Sequence, residues 1–120
     1  MRRILYVEDN KDTADAVKII LTNSGYEVKT AANGNEGIKL VDKEFFDLIM
    51  LDIMLPDMSG WDIFASLTKK SVKSKFAFLS AIPVSGERIE ELKKAGVSGY
   101  ITKPFTKKEL VENVKRILKD

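Results

Sequence analysis

The chain has 120 residues, enough for one ordinary domain with a real core and too few for two. With 20 Lys+Arg against 18 Asp+Glu the formal charge is +2, too balanced to argue for direct binding of nucleic acid, and a content of 44% hydrophobic and 32% charged residues excludes disorder. The absence of cysteine removes disulfides, thiolate metal sites and a cysteine nucleophile.

After Met1-Arg2-Arg3 only Ile4-Leu5-Tyr6-Val7 precedes two acidic residues, far short of the ~7–15 apolar residues of a signal-peptide core. The run Ile4–Val7 is instead the first of five short apolar segments rich in strand formers, and its continuous apolarity suits a central strand covered on both faces. Ala14, Val17, Ile20 and Leu21 then recur at helical spacing, and Asn23-Ser24-Gly25 supplies a stop. Glu27–Ala31 is the second strand, in which Val28-Lys29-Thr30 alternates and reads as an edge, while Asn33 is placed to cap a helix over Gly34–Lys43 with Ile38 and Val41 turned inward. Leu48–Leu51 and Phe76–Leu79 are again continuous strands, separated by a helix near Trp61–Lys70. A fourth helix over Glu87–Ala95 is closed by Gly96, and Tyr100–Thr102 forms the fifth strand. Thr106-Lys107-Lys108-Glu109 then reads as a capping box opening a helix whose buried stripe is Leu110, Val114, Ile117 and Leu118. The charge-free stretch from Phe76 to Gly86 is broken by Ser, Pro and Gly and falls short of the ~18 apolar residues of a membrane span, so a cytoplasmic protein without membrane insertion is expected.

Strict alternation of strand and helix predicts the α/β class and a doubly wound, flavodoxin-like (βα)5 parallel sheet. Right-handed crossovers leave few topologies, and the order 2-1-3-4-5 sets strands one and three side by side. Glu8-Asp9, Asp52, Ser80 and Lys103 then all fall at the carboxyl-terminal rim of the sheet, where ligands bind in such folds. Three carboxylates in one crevice must hold a proton or recruit a cation. Oxygen donors without His or Cys suit a hard ion, and few carboxylates in a shallow site favour Mg²⁺, with Asp9 and Asp52 as direct ligands and Glu8 acting through water. Asp52 is then free to attack phosphorus and form an acyl phosphate, Lys103 to bind a phosphoryl oxygen, and the Ser80 hydroxyl to bind another. Singly, each of these residues reads as a turn former, a cap or a surface charge, as Asp12, Asp47 and Asp57 do. Their coincidence on one rim favours a site.

Val7-Glu8-Asp9-Asn10, Asp52-Ile53-Met54-Leu55-Pro56 with Gly60, Leu79-Ser80-Ala81 and Lys103-Pro104-Phe105, taken together, resemble a response-regulator receiver domain, the phosphoacceptor partner of two-component histidine kinases. The resemblance covers essentially the whole chain and implies a single receiver over residues 1–120, standing alone without an output domain, in a phosphorelay. It implies that Asp52 accepts a phosphoryl group from a sensor histidine kinase or a histidine phosphotransfer protein, that the Met54 backbone carbonyl joins Asp9 and Asp52 on Mg²⁺, and that Lys103 contacts the phosphate. It further implies a cis bond at Lys103-Pro104 and a switch in which Ser80 moves toward the phosphate and Tyr100 turns inward. That movement would reshape a face that contacts a downstream protein or a second copy in a homodimer. Met54 and Ile82 occupy places where the family sets side chains that influence the hydrolytic water, and both are apolar, so slow loss of the phosphoryl group is expected. The domain would catalyse only its own phosphorylation and dephosphorylation. Two other readings remain: a Mg²⁺-dependent aspartyl phosphatase of the haloacid dehalogenase type, whose second aspartate is Met54 here, and a degenerate receiver acting as a binding scaffold. A flavin-binding module of similar topology is disfavoured because Glu8-Asp9 would repel the phosphate.

Overall fold

The computed structural model describes residues 1–120, in which β1 (Arg3–Val7), α1 (Lys11–Asn23), β2 (Glu27–Ala31), α2 (Gly34–Lys43), β3 (Leu48–Asp52), α3 (Gly60–Lys69), β4 (Lys75–Ser80), α4 (Gly86–Lys94), β5 (Val97–Thr102) and α5 (Lys107–Leu118) follow one another. All strand pairs are parallel and the order is β2-β1-β3-β4-β5, as the alternation and crossover handedness predict. Alternating side chains of the three central strands divide between two cores. Ile4, Tyr6, Leu48, Met50, Ala77 and Leu79 pack with Val17 and Leu21 of α1 and with Leu110, Val114 and Ile117 of α5. Leu5, Val7, Ile49, Leu51, Phe76 and Phe78 pack on the other face with Ile63 and Leu67 of α3 and Leu92 of α4. This double coverage is why β1, β3 and β4 read as largely apolar runs while β2, at the edge, mixes polar and apolar residues and buries only Val28 and Ala31.

Helix ends follow side-chain caps. Asn10, Asn33, Ser59, Ser85 and Thr106 each accept from a backbone N–H in the first turn of the helix that follows. The expected starts at Trp61 and Glu87 are each one residue late, because Ser59 and Ser85 set the first helical residues at Gly60 and Gly86. The expected capping box at Thr106 and Glu109 is present, and a second joins Ser59 to Asp62. β5 begins at Val97, earlier than the expected Tyr100, since Phe76 pairs with Val97 and Ala77 with Gly99 across a register shift. The turn into it uses Gly96 at φ +105°, a conformation that side chains rarely adopt. No helix is long and apolar enough to cross a membrane.

Several of these local devices are acid-sensitive. The Thr106 backbone N–H holds the Glu109 carboxyl below its ordinary value, the Gly34 and Asn35 N–H groups do the same for Asp57, and Lys29 with Arg3 does so for Glu44. A carboxyl lowered in the folded state contributes stability that is complete above its unfolded pKa and is lost as pH falls through its folded pKa. The urea midpoint will therefore decline as pH drops below about 4, the ordinary carboxylate range, and Glu109→Gln will flatten part of that decline. An unchanged slope in the variant would remove Glu109 from the account.

Candidate functional site

β1 and β3 are neighbours in register, Val7 opposite Leu51, so the residues that follow each strand emerge together. The Glu8 N–H extends the ladder onto Ala31 O at 2.9 Å, and Asn10 then turns the chain into α1. One carboxylate oxygen from each of Glu8, Asp9 and Asp52 lies within 4.8 Å of the others. Lys103 arrives just past β5, its backbone N–H donating to Ser80 O at 2.8 Å, and its peptide bond to Pro104 is cis. Its ammonium group donates to Glu8 Oε1 at 2.6 Å and stands 3.5 Å from Asp52 Oδ2. The sequence-predicted acidic residues and the lysine are thus brought together, with Lys103 nearer Glu8 than Asp52.

The two inner carboxylates are pushed in opposite directions. Burial, then the facing Glu8 carboxylate, raises Asp52 above its ordinary range against a weaker pull from Lys103. Glu8 is also pushed up by burial, but the Lys103 ammonium, its contact with Asp52 and the Asn10 N–H outweigh that and hold it below the usual value. Glu8 therefore keeps its charge at the expense of Asp52, whose counter-ion Lys103 stands farther off, at 3.5 Å against 2.6 Å. A hard divalent cation fits this set: the donors are all oxygen, Asp9 is exposed, and Asp52 is the less relieved of the two inner charges. Glu8 already accepts from Tyr6 Oη, Lys103 Nζ and Asn10 N, which leaves Asp9 and Asp52 as the freer ligands.

Ser80 and Tyr100 are joined to each other through Ile82 and not to the carboxylates. Ser80 is buried, and its Oγ accepts from the Ile82 N–H at 3.1 Å. The Tyr100 hydroxyl donates to Ile82 O at 2.6 Å, and its ring is half-buried. The Met54 N–H reaches Asp52 Oδ1 at 3.4 Å, while the Met54 and Ile82 side chains are exposed beside the site.

Three residues acquire roles that their sequence positions only hinted at. Tyr6, two residues before Glu8 and therefore on the same side of the strand, donates its hydroxyl to Glu8 Oε1 at 3.0 Å. Asp57, expected to form a turn or cap, reaches across to accept from Gly34 and Asn35 at the start of α2. Gly60 lets α3 begin against the back of the Asp52 peptide: a Cβ there would sit 2.3 Å from Asp52 O and 3.1 Å from Ile53 Cα, with no flexible side chain to yield. Its N–H also donates to Ile53 O at 2.8 Å. Gly60→Ala will destabilise the fold by about 1–3 kcal/mol, the usual cost of overpacking, and shift the amide resonances of Asp52 to Met54. Gly86→Ala, where an added methyl meets nothing within 4 Å, will be neutral or slightly stabilising in the same urea titration. Equal losses in the two variants would refute the argument from contact.

The family described as response regulator receiver domain matches residues 4–115. The transcriptional regulatory protein CusR of Escherichia coli is 37% identical over 117 residues, covering 98% of this chain and 51% of that protein. The chain spans about half the length of the curated relatives it matches. Among solved structures, the chemotaxis response regulator CheY4 of Vibrio cholerae is similar with a TM-score of 0.88 and 30% identity, over 98% of each chain. The response regulator TrrA of Thermotoga maritima, solved in complex with Mg(2+)-BeF, is similar with a TM-score of 0.82 and 33% identity, over 98% of this chain and 99% of that one.

Proposed function

The chain belongs to the response regulator receiver domain family, and from that membership we propose that Asp52 accepts a phosphoryl group from the phosphohistidine of a sensor histidine kinase or a histidine phosphotransfer protein. The observation that carries this reading is the convergence of Glu8, Asp9 and Asp52 with the Lys103 ammonium at the ends of β1, β3 and β5. An Asp52 carboxylate oxygen attacks phosphorus in line, the phosphorus–nitrogen bond breaks with its electron pair leaving on the donor imidazole, and an acyl phosphate remains. Asp9, Asp52 and the Met54 backbone carbonyl, with Glu8 through water, would hold Mg²⁺, and the chemistry it would supply is neutralisation of phosphoryl charge.

The chain's own residues then respond to the added charge of roughly −1.5 to −2. Lys103 needs only a short movement to leave Glu8 for a phosphoryl oxygen on Asp52. The Ser80 hydroxyl turns from Ile82 toward another oxygen, which releases the segment that Tyr100 now holds through Ile82 O. Tyr100 also lines a cavity of about 680 Å³ with Ile89, Leu92, Val97 and Ile117, between α4, β5 and α5. Its rearrangement is how the signal reaches a downstream protein or a second copy of the chain, with no direct contact to nucleic acid. The domain acts as a phosphoacceptor switch and not as an enzyme with free product.

Incubation with Mg²⁺ and a small acyl-phosphate donor will add one phosphoryl group by intact mass, and borohydride reduction followed by peptide sequencing will place it at Asp52. No adduct, or an adduct elsewhere, would overturn the proposal. The adduct will be long-lived, because the exposed apolar Met54 and Ile82 side chains, two residues past Asp52 and Ser80, offer no hydrogen bond to an attacking water. Met54→Asn, which supplies one, will change the rate of its loss; decay at the same rate in both proteins would show that this side chain has no part in it.

A further inference from the structure

The hydroxyl of Tyr6 is the only phenol in the interior at the site. The Tyr6 ring is fully buried, packed into the core shared with α1 and α5, and so cannot follow a moving partner. Its hydroxyl donates to Glu8 Oε1, the same oxygen that accepts from Lys103. A phenol keeps its proton at neutral pH, so the Tyr6 hydroxyl serves Glu8 as a donor. Glu8 itself is only 3% exposed, and its other oxygen has a single long bond, 3.3 Å, from the Asn10 N–H. A carboxylate this deeply buried cannot lose its ammonium partner without a large penalty unless other donors stay in place.

We propose that Tyr6 is a positioning residue of this site, its hydroxyl holding the Glu8 carboxylate while Lys103 shifts from Glu8 to a phosphoryl group on Asp52. The inference rests on the phosphoacceptor reading and adds to it the side chain that makes the lysine transferable. Without the hydroxyl, Glu8 depends on Lys103 and retains it; with the hydroxyl, Glu8 stays hydrogen-bonded when Lys103 leaves. The effect is on the equilibrium between the resting and phosphoryl-bound arrangements, since the contact that differs between them is that of Lys103.

Beryllofluoride with Mg²⁺ is the probe, titrated by ¹⁹F NMR into wild type, Tyr6→Phe, Glu8→Gln and the double variant, each first confirmed folded by circular dichroism. Tyr6→Phe will weaken beryllofluoride binding about tenfold, the scale of one hydrogen bond to a charged group, while leaving the Mg²⁺ affinity measured alone by calorimetry unchanged. In the Glu8→Gln background, where no buried charge needs a partner, the same substitution will have no effect on beryllofluoride binding. A structural role for Tyr6 predicts equal losses in both backgrounds, and that result, or wild-type affinity in Tyr6→Phe, would overturn the inference alone. Failure of wild type to bind the probe would overturn the phosphoacceptor reading and the inference with it.

Discussion

Asp52→Asn will form no acyl phosphate under conditions that modify the wild type, and in the absence of Mg²⁺ it will be the more stable of the two proteins. The first half follows from chemistry: an amide oxygen is too weak a nucleophile to take the phosphoryl group. The second follows from the site. Ionised Asp52 is largely buried and faces the Glu8 carboxylate, and both facts raise its pKa, so at neutral pH its charge opposes folding. Asparagine removes that charge and turns an N–H donor toward Glu8. A gain of about 0.5–2 kcal/mol, typical of relieving a functional site, is expected in urea unfolding without metal. Added Mg²⁺ will raise the wild-type midpoint by mass action and the variant midpoint much less, which narrows or reverses the difference. A variant less stable than wild type without metal would mean that Lys103 already neutralises Asp52, contrary to its closer approach to Glu8.

How much of this was legible in the chain depends on the range of the interactions involved. The runs Ile4–Val7, Leu48–Leu51 and Phe76–Leu79 announce central strands because burial on both faces leaves no room for polar residues. Caps such as Asn33 and the Thr106–Glu109 box are equally readable, since their partners lie within a few residues. The first half of β5 was not, because Val97-Ser98 sits between Gly96 and Gly99 and is held in the sheet by its pairing with β4. The convergence of Glu8, Asp9, Asp52 and Lys103 was legible once the strand order was fixed, because each lies at or just past the carboxyl end of a strand. What the order cannot specify is the partner Lys103 takes. Glu8 and Asp52 both lie within its reach, and the choice turns on the inward orientation of Glu8, held by Tyr6 and Asn10. Tyr6 left one trace in the sequence: a phenol two residues before a carboxylate on a strand shares its side of the sheet.

That choice of partner makes Lys103→Met a test of what the lysine does at rest. An exposed ion pair is worth less than about 1 kcal/mol, and truncating it would scarcely move the unfolding midpoint. Here the Glu8 side chain is 2% exposed and the Lys103 side chain 23%, so the pair sits much nearer the buried limit. Removing one member of a buried pair leaves an uncompensated charge and costs about 3–5 kcal/mol. The Tyr6 hydroxyl and the Asn10 N–H still serve Glu8 in the variant, which sets the expected loss at the lower end, about 3 kcal/mol. Methionine keeps most of the aliphatic stem, and the backbone bond from residue 103 to Ser80 O does not involve the side chain, so packing and strand pairing are preserved. The loss is therefore attributable mainly to Glu8, with a smaller share from the more distant Asp52, and most of it will disappear when Lys103→Met is made in a Glu8→Gln protein, whose neutral amide needs no ammonium. Phosphorylation separates the two functions of the lysine: the double variant regains stability but still accumulates little adduct, because nothing replaces the cation that meets the phosphoryl oxygens. A loss below 1 kcal/mol in the single variant, or an equal loss in both backgrounds, would place Lys103 among ordinary surface charges.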